Sequence, residues 1–386
     1  MRIVKHALFY SKPTTFYIKT PRYVCKSCRK TFTQENNFAP KRSRESYQTI
    51  KFVLNTLMNY NQTFVSTSEL FHLSNTTVVN IFDNYVNPIR KPLPRVLSID
   101  EIYNKGQFSA PYSVIMFDFL KHKVCDVVLD RKKTNLMTYF NKITREEKDN
   151  VEFIVIDMWD PYLDIAKIQF PKAIVAIDSF HVMEHLGKAV HDVRCRIMRK
   201  FSTGTIEYYL LKKFNYLLKK NPKPWEEKIK NTRLKGYFNE YDILQKILKI
   251  DPELQIIHDY YVTYQYFNNH SNYEMACANF DSIIRNYNGL IIPELMEFVS
   301  MMIRWKEYIL NSFIEVDGVR LSNGPIEGAN SQFKKLMKVG NGFGNFLRFR
   351  NRIMFCYNKE VCISPVHVKI AKIKRKPRGK YKKTSL

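Results

Sequence analysis

Three apolar runs in this sequence end in an aspartate: Val96-Leu97-Ser98-Ile99-Asp100, Phe153-Ile154-Val155-Ile156-Asp157 and Ile174-Val175-Ala176-Ile177-Asp178. Short apolar runs of this kind are buried strands, and an acid at the end of one stands at the carboxyl edge of the sheet, where α/β folds gather ligands. Carboxylates converging there repel one another unless a cation lies between them. Oxygen donors select hard divalent ions, Mg2+ above all. Any one of these aspartates also fits a turn or a helix cap. Three on one sheet, in a chain of formal charge +26, shift the weight toward a functional cluster.

A further acid comes much later, in Leu321-Ser322-Asn323-Gly324-Pro325-Ile326-Glu327-Gly328-Ala329-Asn330-Ser331. Ser322 or Asn323 can cap a helix, and Pro325 is tolerated in its first turn. Glu327, Asn330, Ser331 and Lys334 then share one helical face, and Gly328 and Ala329 leave room for close approach to the sheet. A surface helix with a solvated glutamate is the alternative. The remaining acids near the strands, Asp118, Asp126 and Asp130, read as structural, and Asp160 before Pro161 reads as a cap.

These acids need a sheet to hold them. The pattern predicts strands over 96–99, 112–119 and 124–129, a helix over 134–143, a strand over 153–156, a helix over 162–170 and a strand over 174–177. This is an α/β arrangement, a mixed sheet covered by helices, over 95–181. From 182 to about 320 the strand signals disappear and the spacing is helical. That predicts an all-helical insertion before a last core segment, 321–360, and a basic tail over 361–386 without one acid.

Ahead of the sheet, residues 43–91 carry helical spacing. A short helix, a turn at His72–Asn75 and a second helix form a helix-turn-helix pattern, which puts Asn75, Thr76 and Thr77 where DNA would be read. An ordinary helical hairpin has the same spacing. Residues 1–42 contain Cys25-Lys26-Ser27-Cys28, half of a zinc-ribbon signature. His6 is the only upstream side chain able to add a ligand, which leaves a zinc site one short of four. Two reduced thiols in a metal-free hairpin fit equally well. The other cysteines are scattered, as in intracellular chains.

The excess of 62 basic over 36 acidic residues calls for a polyanionic partner, and nucleic acid suits it. No apolar run reaches the ~20 residues of a spanning helix, and the start lacks the apolar stretch of a signal peptide. A cytoplasmic, nucleoid-associated protein is expected.

Taken in order, Ser-Ile-Asp100-Glu, Ile-Asp157-Met-Trp-Asp-Pro-Tyr, Ile-Asp178-Ser-Phe-His181-Val and Ser-Asn-Gly-Pro-Ile-Glu327-Gly-Ala-Asn resemble the ISL-three family of bacterial insertion-sequence transposases, from Cys25 to about Tyr357. The resemblance implies a ribonuclease-H-like core with Asp100, Asp157 and Glu327 as a metal-binding Asp–Asp–Glu triad. It makes Asp178-Ser-Phe-His181 a supporting element and implies a zinc-binding N-terminus with a helix-turn-helix. Relatives of this kind carry an additional upstream Cys pair, so the chain reads as short at its start.

The chemistry implied is phosphodiester hydrolysis followed by strand transfer. Two Mg2+ or Mn2+ ions per site would be shared by the three acids. Double-stranded DNA, both element terminal repeats and target, would be the substrate of a homo-oligomer assembled on it. His181 would hydrogen-bond near the scissile phosphate or simply cap the core. Asn330 and Lys334 would support the site, and Arg348, Arg350 and Arg352 would clamp phosphates. Two other readings fit the same residues: a non-catalytic DNA-binding regulator, and a nuclease that cuts without joining.

Overall fold

A computed structural model of the chain describes residues 1–34, 37–41, 43–286 and 291–359; the basic tail expected over 361–386 lies outside them. The chain forms two compact units, one made of Met1–Ile89 with the residues from Lys335 on, the other of Arg90–Lys334. The division falls inside the segment 321–360 that the sequence pattern kept whole.

The first unit opens with an antiparallel hairpin, β1 (Arg2–Phe9) and β2 (Lys12–Ile18), and a smaller one, β3 (Arg22–Val24) and β4 (Thr31–Thr33). Three helices follow, α1 (Tyr47–Leu57), α2 (Phe64–Leu70) and α3 (Asn75–Tyr85). Each starts on a hydroxyl that accepts from a backbone N–H two to three residues into the helix: Ser46, Thr63 and Ser74. The turn between α2 and α3 closes through His72 at φ 51°. Ile50, Val53, Leu54 and Leu57 of α1 bury against Val78, Ile81 and Phe82 of α3. Phe355, from the C-terminal helix Phe346–Asn358, joins the same core.

The second unit is built on a five-stranded sheet of β5 (Val96–Tyr103), β6 (Tyr112–Asp118), β7 (Lys123–Leu129), β8 (Phe153–Ile156) and β9 (Ile174–Ile177), in the order β7-β6-β5-β8-β9. The first three strands are antiparallel, and β8 and β9 run parallel to β5. Asp100 does not end its strand, contrary to the pattern of the apolar run. β5 continues to Tyr103 because β6 pairs with it over that whole length, whereas β8 follows it only as far as Ser98. Asp100 therefore sits where β5 leaves its parallel neighbour, and Asp157 and Asp178 follow the last residues of β8 and β9.

Helices α4 (Lys133–Phe140), α5 (Arg145–Asp149) and α6 (Asp160–Gln169) lie within the sheet region. Beyond it come α7 (Ser179–Met198), α8 (Ile206–Lys213), α9 (Glu240–Leu248), α10 (Pro252–His270), α11 (Tyr273–Ile284), α12 (Pro293–Arg304) and α13 (Lys306–Asn311). This stretch is mainly helical but not wholly so. Among its described residues are two small hairpins, β10 (Ile229–Asn231) with β11 (Gly236–Phe238), and β12 (Glu315–Val316) with β13 (Val319–Arg320). Strands of two or three residues are too short to show alternation. Their turns rest on Lys235 at φ 52° and on Asp317 and Gly318 at φ 53° and 78°. One apolar cluster runs from Ile154 and Ile177 of the sheet through Leu186 and Val190 of α7 to Ile257 and Tyr264 of α10, so the insertion shares the core of the sheet. Finally α14 (Gly324–Val339) carries Glu327, and α15 (Phe346–Asn358) is the helix whose Phe355 lies in the first unit.

Candidate active site

The ends of β8 and β9, the middle of β5, the first turn of α7 and the start of α14 deliver their polar side chains to one place. His181 Nε2 lies 2.9 Å from Asp157 Oδ1, and its Nδ1 lies 3.3 Å from Glu184. Ligand atoms of Asp178, His181 and Glu327 all fall within 4.8 Å of one another. The segment that brings Glu327 also brings two buried amides. Asn323 donates from Nδ2 to Asp157 (2.9 Å) and from its backbone N–H to Asp178 (2.8 Å). One helical turn past Glu327, Asn330 Nδ2 donates to Asp100 Oδ2 at 2.6 Å. Positions 323, 327 and 330 follow helical spacing, so one rigid element sets the acid and both amides together.

A family model described as Transposase, that of the ISL-three type of DDE transposase, matches residues 97–353. The chain belongs to that family. No curated protein matches the chain significantly. The matched span starts in β5 and ends in α15, so it includes every acid of the cluster.

The electrostatics of this transposase's site follow from packing several acids into a half-buried cleft. Burial, reinforced by the nearby charge of Asp157, pushes the Asp100 carboxyl up to about 7, against the bonds from the Glu101 N–H and Asn330. Burial also raises Asp178 and Glu327, and each feels the other carboxylates. The bond to Asp157 and the charges of Asp178 and Glu184 hold the His181 imidazole up at about 9, so at neutral pH it is a cation among anions.

Asp178 and Glu327 lie close enough to share a metal ion, and their carboxylate oxygens are hard donors of the kind that hold a divalent cation, whereas His181 in its protonated form offers no lone pair to one. Asp178 Oδ2, Asn323 Oδ1 and Asn330 Oδ1 are buried acceptors with no hydrogen-bond partner, which is costly unless a cation or substrate fills the place.

Other expected residues fall as follows. Gly328 has nothing within 4 Å of where a Cβ would stand, so it is not a point of close approach, while its neighbour Ala329 is buried. Lys334 is exposed on α14. Asp160 is not a side-chain cap; it forms an ion pair with Arg304. Asn75 and Thr76 are exposed on the first turn of α3, whereas Thr77 is tied to Ser74, its hydroxyl 2.8 Å away. Cys25 and Cys28 occupy the turn between β3 and β4, where backbone and side-chain bonds from Cys28 hold the Cys25 thiol below its ordinary value. His6 is engaged elsewhere, its Nδ1 2.9 Å from Ser46 Oγ and its ring stacked on Phe38.

The expected arginine clamp needs correction. Arg348 forms a two-pronged pair with Asp83 of α3 (2.9 and 2.6 Å), and Arg350 donates to the Pro88 carbonyl at 3.0 Å. Arg352 is 1% exposed and donates to the carbonyls of Asn59 and Gln62. A guanidinium so enclosed cannot meet a phosphate at the surface. These side chains fasten α15 to the three-helix core.

The residues that sequence reasoning passed over are Asn323 as a carboxylate-holding group and Glu101. The latter accepts from Tyr162 Oη (3.1 Å) and pairs with Arg131, which itself lies 3.9 Å over the Tyr112 ring. Asn323 was visible only as a cap, because nothing in the local sequence names its distant partners. For Glu101 the adjacency to Asp100 was the available sign.

Proposed function

We propose that this transposase binds the ends of an insertion sequence, cuts DNA strands there and joins them to target DNA, using a ribonuclease-H-like core. What supports this reading is that Asn323 and Asn330, on either side of Glu327, donate to Asp157 and Asp100, and that Glu327 lies with Asp178 and His181 in one group able to hold a metal ion. The mixed sheet, three antiparallel strands extended by two parallel ones, supports that reading of the core.

Mg2+ or Mn2+ held by Asp100, Asp157 and Glu327 would activate the attacking oxygen and stabilise the leaving one. In the cutting step water attacks phosphorus, the P–O3′ bond breaks and a 3′-hydroxyl is released. In the joining step that hydroxyl attacks a target phosphodiester and displaces the target's own 3′-oxygen. Asn323 and Asn330 orient Asp157 and Asp100 for this. His181 donates to a phosphate oxygen, and Lys334 contacts the backbone beside it. Asn75 and Thr76 at the start of α3 read the element end in a helix-turn-helix, on which end binding mainly rests, because the hairpin knuckle of Cys25 and Cys28 offers only two of the four ligands a structural zinc needs. Two or more copies assemble on the DNA.

Labelled element ends incubated with Mg2+ or Mn2+, with and without a target plasmid, test the reading. Cutting and joining are expected, and Asp157→Asn should abolish both while leaving end binding intact. Binding without cutting would make the protein a regulator, and cutting without joining a nuclease. The proximity of Asp178 to Glu327 favours one variant of the scheme: cleavage that survives Asp157→Asn and is lost in Asp178→Asn would move the second acid to Asp178.

A further inference from the structure

Next to the carboxylate cluster an open groove of about 630 Å3 follows one face of α7. Phe180, Glu184, Lys188 and His191 line it from α7, with Lys219 and Tyr261 opposite. The four α7 positions recur at helical spacing and form a single stripe that begins beside His181. Phe180 is 54% exposed at its head. The groove is cationic: neither Lys188 nor Lys219 has an ion-pair partner among the described residues, although Lys219 is half-buried. Its ammonium lies over Gly187, where a Cβ would stand 2.8 Å from Nζ. Beneath His191, buried Arg194 donates to the Leu211 carbonyl and to Cys195 rather than to a carboxylate. The one acid in the lining, Glu184, is held by His181. On the other flank of Lys188 a smaller cleft carries Asp192, Glu294 and Glu297, which confines an anion to the Lys219 side.

A ligand that satisfies this surface has a repeating negative charge and a flat apolar face that is free to stack. Duplex DNA offers the charge, but its base faces are covered; an unpaired strand offers both. We propose that the groove holds an unpaired stretch of the DNA strand adjoining the scissile phosphate, with a base stacked on Phe180 and the backbone running past Lys188 and Lys219. The stripe from Phe180 to His191 is about 16 Å long at 1.5 Å per residue, room for roughly three to five nucleotides. This rests on the proposed reading for its substrate and adds a requirement for strand opening next to the cut.

The test uses the full-length protein in Ca2+, so that binding is read without cutting, and two fluorescent probes of arbitrary sequence: a blunt duplex and the same duplex with a four-nucleotide single-stranded extension. The extended probe should bind roughly fivefold or more tightly. Phe180→Ala and Lys188→Ala, both at exposed positions, should each remove most of that difference and leave the blunt-duplex affinity unchanged. A 2-aminopurine in the extension should be quenched on binding and regain its emission in Phe180→Ala. Equal affinity for the two probes, or a loss in the variants that is the same on both, overturns the proposal. A protein that cuts element ends yet shows no preference for the extension defeats the groove alone. One that never cuts yet keeps a Phe180-dependent preference supports the groove and defeats the cutting chemistry alone.

Discussion

Removing the charge of Asp100 should make the metal-free protein more stable while it disables the site. Burial and Asp157 move this carboxyl from 3.8 to about 7 on folding. Between those values the folded chain keeps a proton that the unfolded chain releases. The group's contribution to stability is therefore intact below about pH 3.8, declines as pH rises, and is level again above about 7. At about 1.4 kcal/mol for each pH unit crossed, the decline amounts to about 4 kcal/mol. Asp100→Asn is uncharged throughout and escapes it. Part of the gain is given back, since Asp100 accepts from the Glu101 N–H on Oδ1 and from Asn330 on Oδ2, and an amide keeps only one acceptor. The Asn330 side chain can turn so that its unpartnered Oδ1 accepts from the new amide, which limits the concession to about 1 kcal/mol. The variant should then be roughly 2–3 kcal/mol more stable at pH 8, or about 5–10 °C in melting temperature for a unit of this size. Scanning calorimetry in EDTA reads it, and the gap should narrow at pH 5. With saturating Mn2+ the order should reverse, because only the wild type gains the ion's binding energy. A variant that melts below the wild type at pH 8 in EDTA, or a gap equal at both pH values, would refute the reasoning.

Three other outcomes are expected. Asn323→Ala leaves Asp157 without its amide donor and should slow cleavage roughly ten- to a hundredfold with duplex affinity unchanged; an unaffected rate would make Asn323 a mere cap. Mn2+ affinity measured by calorimetry should rise with pH up to about 7 and then level off, since the Asp100 proton must leave before the ion enters, and a flat profile would contradict this. Arg348→Ala strands the half-buried Asp83 and should destabilise the first unit by about 1–3 kcal/mol, with Arg348→Lys recovering only part, because the two-pronged geometry is lost. Weaker DNA binding at unchanged stability would return Arg348 to the phosphate-clamping role.

Much of the cleft was legible because strand ends announce themselves. The apolar runs before Asp157 and Asp178 are short and unbroken, and both acids follow their strands as the pattern implies. Asp100 was found for a partly wrong reason, since the length of β5 is set by pairing with β6, which no local pattern records. The arginines after Glu327 misled for a related reason. A run of alternating basic residues looks the same whether it faces DNA or an adjacent helix, and only Asp83 and the carbonyls of Asn59, Gln62 and Pro88 decide between them. The small hairpins within the insertion escaped notice because two or three residues cannot display a period.

The insertion also sets a clock. About 150 residues separate Asp178 from Glu327, yet the backbone of Asn323 must bond Asp178, and Asn330 must bond Asp100 across 230 positions. A ribosome adding roughly 5–20 residues each second completes the sheet strands some 7–30 seconds before it makes α14. Throughout that interval the nascent chain carries Asp100, Asp157 and Asp178 without the glutamate and amides that complete them. Any chain broken within the insertion stops there as well. Completion of the cleft is thereby tied to translation through α14, so that products truncated before it hold the sheet acids without Glu327 and its flanking amides.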